Sequence, residues 1–273
     1  MSGLARTLAV TLTGLTGHIV EVEAHCAPGL PAFTLVGLPD AAVRESRERV
    51  RAALSTCGVT WGERRLTVNL SPADLPKTGT GFDVSLALAV LTARGELPRR
   101  ALASLADTVL IGELGLDASV RPVRGVLPGV QAAVAAGVEE IVVAREAAAE
   151  AELVPGARVT AISHIGQLVD RYGGRLSAAV AAAVEQIAEL RDDADPAVAQ
   201  DREPPDLADV VGQAEARRAL EVAAAGGHHL IMVGPPGTGK TMLAERLPSI
   251  LPPLERSDAV TVTSIHSVAG TFN

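Results

Sequence analysis

The chain has 273 residues, 48% of them apolar and 21% charged, with 24 Lys plus Arg against 32 Asp plus Glu. That length allows about two domains of roughly 150 residues, with cores that need no disulfide or metal staple. A formal charge of −8 argues against coating nucleic acid by net charge alone, and 2% aromatic residues leave little for a base-stacking surface.

Residues 7–13 alternate, with Leu8, Val10 and Leu12 on one face, which predicts a half-buried strand. A Gly14–Gly17 turn and the run Val20, Val22, Ala24 complete a hairpin. Phe33–Val36 reads as a short strand. Asp40 is placed to cap a helix over about 41–56, with Gly58 just past its end. Leu66, Val68 and Leu70 alternate as another strand. A loop rich in Pro, Gly and Thr follows, Ser71–Gly81. Asp83 is placed to cap an apolar helix over about 84–94 that Gly95 ends. Strands are expected at Thr108–Ile111 and Val120–Val123 around a Gly112/Gly115 turn, then a helix near 127–136 stopping at Gly137. Ile141–Val143 and Val159–Ile162 read as strands, with Ser163 capping a short helix. Hairpin first and helices later, this order predicts an α+β domain with a mixed sheet over residues 1–172.

Residues 176–190 are Ala-rich and read as helix. The stretch 191–206, RDDADPAVAQDREPPD, has the acids and prolines of a linker. The expected division is a first domain at 1–172, an Ala-rich helix with acidic linker at 173–205, and a second domain at 206–273. In the second, a helix is expected over 213–225, an apolar strand at Leu230–Val233, a Gly-rich loop, a helix from about Lys240 and a strand at Ala259–Thr263.

The chemistry is concentrated in Gly234-Pro235-Pro236-Gly237-Thr238-Gly239-Lys240-Thr241, which matches G-x-x-x-x-G-K-[ST] at every fixed position. Glycines let backbone N–H groups turn toward phosphate oxygens. The helix N-terminus adds partial positive charge. Lys240 is expected at the β- and γ-phosphates of ATP, and the Thr241 hydroxyl at Mg²⁺. The chain has 22 arginines and two lysines, Lys77 and Lys240; each lysine lies in a Gly/Thr loop and precedes a Thr. Hydrolysis also needs an acid that holds Mg²⁺, usually at the end of a later strand. No apolar strand ending in paired Asp or Glu follows Lys240, since Asp258 precedes its candidate strand. The second domain therefore reads as the truncated front of an α/β P-loop domain, expected to bind nucleotide and hydrolyse it poorly.

The run Asp209-Val-Val-Gly-Gln-Ala-Glu-Ala-Arg-Arg-Ala-Leu220, followed by GPPGTGKTMLAERLP, resembles the AAA+ ATPases of the magnesium-chelatase group. The segments FTLVGLPDAAVRESRERVRAAL and NLSPADLPKTGTGFDVSLALAVL resemble the ComM-type members, and the resemblance runs over essentially the whole chain. It implies a hexameric ATPase, using ATP and Mg²⁺, that moves branched DNA in recombination after DNA uptake; the motif itself makes Lys240 the catalytic lysine, and the composition reads as cytoplasmic. It implies no porphyrin chemistry. It places Val211 and Gly212 near the adenine, where a bare helix entrance is the other reading. A second function stands beside this one: a non-enzymatic interaction or assembly module carried by the first domain.

The first domain also resembles the proteolytic domain of Lon, with its ribosomal-protein-like α+β fold. Laid on Pro76-Lys-Thr-Gly-Thr-Gly81-Phe-Asp, the nucleophilic serine falls on Gly81, and the catalytic lysine falls near Leu127. Glycine cannot attack a carbonyl and leucine cannot take a proton, so no peptidase activity is expected.

Weaker signals stay open. Lys77 could hold an anion, make a structural contact or lie in solvent. Arg44, Arg47 and Arg51 fall on one side of a helix. With Arg64 and Arg65 they make either a nucleic-acid track or, since Glu45 and Glu48 interleave, a solvated salt-bridged face. His25-Cys26 lacks a third metal ligand. His228-His229 marks a loop end, or touches nucleotide or a neighbouring subunit. Nothing at the start reads as a signal peptide, and no apolar run reaches a membrane span.

Overall fold

The computed structural model describes residues 3–192 and 205–272. Two compact units divide the chain: residues 1–192 with 261–273, and residues 193–260. Most of the expected linker at 191–206 lies outside the described residues.

The first unit is a mixed α/β unit around a seven-stranded, mostly parallel sheet. Its strands are β1 (Gly3–Thr13), β2 (Thr16–Pro28), β3 (Ala32–Val36), β4 (Arg64–Ser71), β5 (Thr108–Ile111), β8 (Glu140–Ala144) and β9 (Arg158–Ile162). The order is β3-β4-β2-β1-β5-β8-β9; β2 runs antiparallel to both its neighbours and the other pairs are parallel. Two short strands, β6 (Glu113–Leu114) and β7 (Val120–Arg121), form a separate ribbon.

The β1–β2 hairpin is longer than its apolar alternation implies, and β1 is covered on both faces. Leu8 packs in one core with Val126, Leu127 and Val130, while Ala5 and Ala9 pack in another with Leu86 and Val90. Thr7 and Thr11, on the face opposite Leu8, Val10 and Leu12, are buried with their hydroxyls on carbonyls. Thr7 donates to Ser85 O at 3.0 Å and Thr11 to Pro76 O at 3.3 Å.

Helix α1 (Ala41–Thr56) starts where Asp40 accepts a hydrogen bond from Val43 N at 2.8 Å, as its sequence implies. Helix α2 (Asp83–Arg94) is buried from Asp83 to Ala93 and so lies inside the core. Gly95 closes it at φ +79°. Asp83 is not its cap. It sits within the first turn and its carboxylate is taken by Arg49 and Leu114 N. Helix α3 (Ala101–Ala106), α4 (Val126–Ala135), α5 (Ala148–Glu152), α6 (Gly166–Arg171) and α7 (Ala178–Asp192) complete the unit. Ser163 does not cap α6; the amides of Ser163 and His164 donate to the Gln167 side chain at 2.8 and 3.1 Å.

The second unit holds α8 (Ala214–Gly226) and α9 (Lys240–Ala244). The expected strand at Leu230–Val233 is not formed. A strand needs a neighbouring ladder, and none is present among the described residues of this unit; Ile231 and Val233 are 87% and 89% exposed. The expected strand at Ala259–Thr263 lies inside a helix, α10 (Arg256–Ala269), whose residues from 261 group with the first unit. Asp258 sits in its first turn, where the helix dipole favours an acid. Among the described residues, no helix is long and apolar enough to cross a membrane.

Candidate functional site

Gly234 to Gly239 form an exposed loop leading into α9. Gly237 and Gly239 adopt φ of +83° and +79°, a left-handed conformation that only glycine takes at little cost. Gly239 is the residue before the helix, so the first amides of α9 point at the loop. The Thr238 hydroxyl donates to Pro235 O at 2.9 Å and braces the turn. Lys240 folds back onto the loop. Its ammonium donates to Gly234 O and Pro235 O, both at 2.8 Å, and approaches Thr238 Oγ1 at 3.3 Å. Thr241, one residue on, is exposed.

The residues that the motif names are thus brought together. Val211 and Gly212 are not part of that cluster. Val211 is 96% exposed, and Gly212 forms the left-handed turn that enters α8. The side chain that does reach the loop is Gln213, which sequence reasoning passed over. It holds φ +51° at the head of α8, and its Nε2 donates to Thr238 O at 3.4 Å. A Cβ on Gly239 would stand 2.9 Å from that same amide nitrogen. The signal was present as Gly-Gln directly before a helix. Gln213, Thr238, Lys240 and the Leu230–Val233 segment line a cavity of about 430 Å³.

The donor set suits a polyphosphate with its magnesium ion: loop amides, one ammonium and one hydroxyl beside it. No Cβ stands in the way at Gly237, which faces open space. Lys240 reaches phosphate oxygens by exchanging its two carbonyl partners for them, with one strong acceptor replacing another.

In the first unit, a cleft of about 470 Å³ is lined by Val10, Leu12, Thr78, Thr80, Gly81, Glu113 and Arg124 among others. Gly81 stands on its wall. Leu127 is 2% exposed in the core, and its amide donates to Glu150 Oε1 at 2.7 Å. Ser267 donates to the same carboxylate oxygen. Lys77 is fully buried, with its ammonium on the Pro72 carbonyl. Burial lowers its pKa, and the charge of Asp74 opposes that shift. It serves as a structural clasp; its backbone also bonds to Leu38 and Asp40. Among the described residues, no group of His, Cys, Asp and Glu is placed to hold a metal ion.

Comparison with known proteins gives two family matches. Residues 22–147 match the family described as subunit ChlI of Mg-chelatase, and residues 206–273 match magnesium chelatase, subunit ChlI. An uncharacterized protein of Mycobacterium tuberculosis is 51% identical over 267 residues, covering 98% of this chain and 50% of that protein. YifB of Salmonella typhimurium is 38% identical over 93% of this chain and 47% of its own length. Competence protein ComM of Haemophilus influenzae is 36% identical over 93% of this chain and 48% of its own length. The chain spans about half the length of these curated relatives. A Lon protease of Halothermothrix orenii is 28% identical over 62% of this chain and 22% of its own length.

These matches put the chain in the magnesium-chelatase ChlI-like group of AAA+ proteins. Within that group it belongs to the ComM type.

Proposed function

We propose that this chain is the nucleotide-binding front of an ATP-driven motor that acts on branched DNA during recombination, as a hexamer in its full-length form. The observation that carries the reading is the loop Gly234–Thr241: two left-handed glycines, an ammonium folded over loop carbonyls and a helix beginning at the lysine. The amides of Gly237, Thr238 and Gly239 hold phosphate oxygens, and Lys240 neutralises the β- and γ-phosphates. Pro235 and Pro236 keep the loop stiff. Thr241 is the residue to hold Mg²⁺, which supplies charge neutralisation on the phosphates when bound. Val211 and Gly212 stay the weaker candidates for an adenine contact, and Gln213 steadies the loop.

The first unit supports a binding role without peptide hydrolysis. It keeps a cleft at the Lon-like position but offers Gly81 where a nucleophile is needed and a buried Leu127 where a base is needed. Turnover of ATP by these 273 residues alone is slow: among the described residues, no strand ending in an acid follows Lys240. The chain works in the cytoplasm.

Titration calorimetry with ATP and Mg²⁺ tests the reading. Wild type binds, and Lys240→Ala binds at least about tenfold more weakly, since a charge-assisted contact is lost. Equal binding by the two proteins removes the reading.

A further inference from the structure

The geometry points to a second binding surface, for the phosphodiester backbone of nucleic acid, on the first unit where α1 meets the β3 edge of the sheet. It rests on the reading of the chain as DNA-directed, but it uses none of the residues of the nucleotide loop.

Arg44, Arg47 and Arg51 are exposed on α1, at i, i+3 and i+7, over a span of about 10 Å. Arg49, between them, turns inward to Asp83 and leaves the row. Of the acids that interleave, Glu48 pairs with Arg47 of the row at 2.9 Å, and Glu45 approaches Arg49, outside the row, at 3.9 Å. Among the described residues, no ion pair joins Arg44, Arg51 or Arg64 to a carboxylate, in a protein whose acids outnumber its bases.

Strand alternation separates the two neighbours on β4. Arg64 shares the face of buried Leu66 with α1, whereas Arg65 shares the opposite face with Thr67. Arg64 thus lies on the sheet face that carries α1, and Arg65 on the other. β3 is the last strand of the sheet, and a cavity of about 270 Å³ opens there between Phe33, Thr34 and Leu35 on one side and Arg44 and Arg47 on the other.

Trp61 organises this edge. It stacks on Phe33 at 6.1 Å, and its indole N–H donates to Ser55 of α1 at 2.7 Å. Arg51 and Arg94 lie over its ring at 5.8 and 5.4 Å. The ring is already engaged by two guanidinium groups and a phenyl, so it fixes the arginines in place of stacking on a base. The surface thus reads phosphate and not sequence. Arg47 keeps its own counter-ion, so three arginines are left to neutralise phosphates.

The test is fluorescence anisotropy of the 273-residue chain with a labelled duplex, without nucleotide, over a salt series. Three neutralised phosphates give a slope of log affinity against log salt of about −3 for duplex and about −2 for single strand. Arg44→Glu with Arg64→Glu lowers affinity at about 50 mM salt by at least about tenfold and removes about 2 from the slope. If that variant does not fold, as judged by its urea midpoint, Arg44→Gln with Arg64→Gln gives the same loss of slope. Lys240→Ala binds the duplex as wild type does, so failure of the nucleotide reading leaves this result standing. The proposal is overturned if wild type does not bind, if the arginine variants bind with unchanged affinity and slope, or if poly-glutamate at equal charge displaces the duplex as well as DNA does. That last outcome assigns the surface to an acidic protein segment.

Discussion

His164 shows how one side chain sets a pH dependence. It is buried, and its Nδ1 accepts a hydrogen bond from Gly166 N at 3.0 Å, so the proton of the neutral ring sits on Nε2, facing Asp117 O at 3.2 Å. Burial lowers its pKa below the usual histidine value of about 6.5, outweighing the raising effect of Asp117. A second proton would stand against the Gly166 N–H. Stability from this group is therefore complete above about pH 6.5 and is lost as pH falls through the lowered folded value. Urea unfolding at pH 7.5 and 5.5 checks this: the loss on acidification is smaller in His164→Gln than in wild type. Equal losses contradict it. Cys57 makes a chemical counterpart. Burial pushes its thiol up to about 11, so native protein reacts slowly with iodoacetamide at pH 8 and unfolded protein reacts fast. The same rate in both states contradicts the burial. Neither environment was legible in the sequence. His164 follows Ser163 in what reads as a helix cap, and only the Gln167 side chain, bonding back to both amides, reveals a different turn.

At the scale of elements, the pair Arg49–Asp83 joins α1 to α2. Arg49 donates to both carboxylate oxygens of Asp83, at 2.6 and 3.1 Å, and also to Ser46 at 3.0 Å. Asp83 is fully buried and also accepts from Leu114 N at 3.0 Å, which ties β6 to the same point. Hydrogen bonding to Asp83 is the main cause that raises the Arg49 pKa. Removing one partner leaves a charge without compensation. Asp83→Asn should destabilise the fold by about 3–5 kcal/mol, read from the urea midpoint, and Arg49→Met added to it should recover part of that loss. A double variant worse than the two single losses together contradicts the pairing. The capping site is a smaller lever. Asp40→Ala should cost about 0.5–2 kcal/mol, since Asp40 serves both Val43 N and Gly79 N. Unchanged stability contradicts the cap. Helix α1 and its cap were legible because the apolar period and an Asp coincide. Asp83 was misread as a cap for the opposite reason: an Asp before an apolar run has the same local pattern whether it caps or pairs with a residue 34 positions away.

For the molecule as a whole, the two units show different limits of sequence reading. The strands and helices of the first unit follow the alternation and glycine stops closely. Its threonine face on β1 does not, because burial there depends on carbonyls of α2 and the Pro76 loop. In the second unit, Leu230–Val233 has the composition of a strand but no described neighbour to pair with, and Ala259–Thr263 has β-branched residues yet packs as helix. Composition states a preference; partners decide it. The turn at Gly237–Gly239 and the helix beginning at Lys240 were legible, because glycine conformation is a local requirement. The first unit also yields a negative expectation. Incubated with an unfolded polypeptide, the chain leaves it intact, and cleavage that Thr80→Ala abolishes would contradict the role assigned to the cleft.

The structure of this chain with a non-hydrolysable ATP analogue and Mg²⁺ decides whether the loop is a phosphate cradle. The expected result has Lys240 Nζ withdrawn from Gly234 O and Pro235 O and placed on β- and γ-phosphate oxygens, with the amides of 237–240 around them. A loop still closed on its own lysine, with the analogue bound elsewhere or absent, contradicts the nucleotide reading.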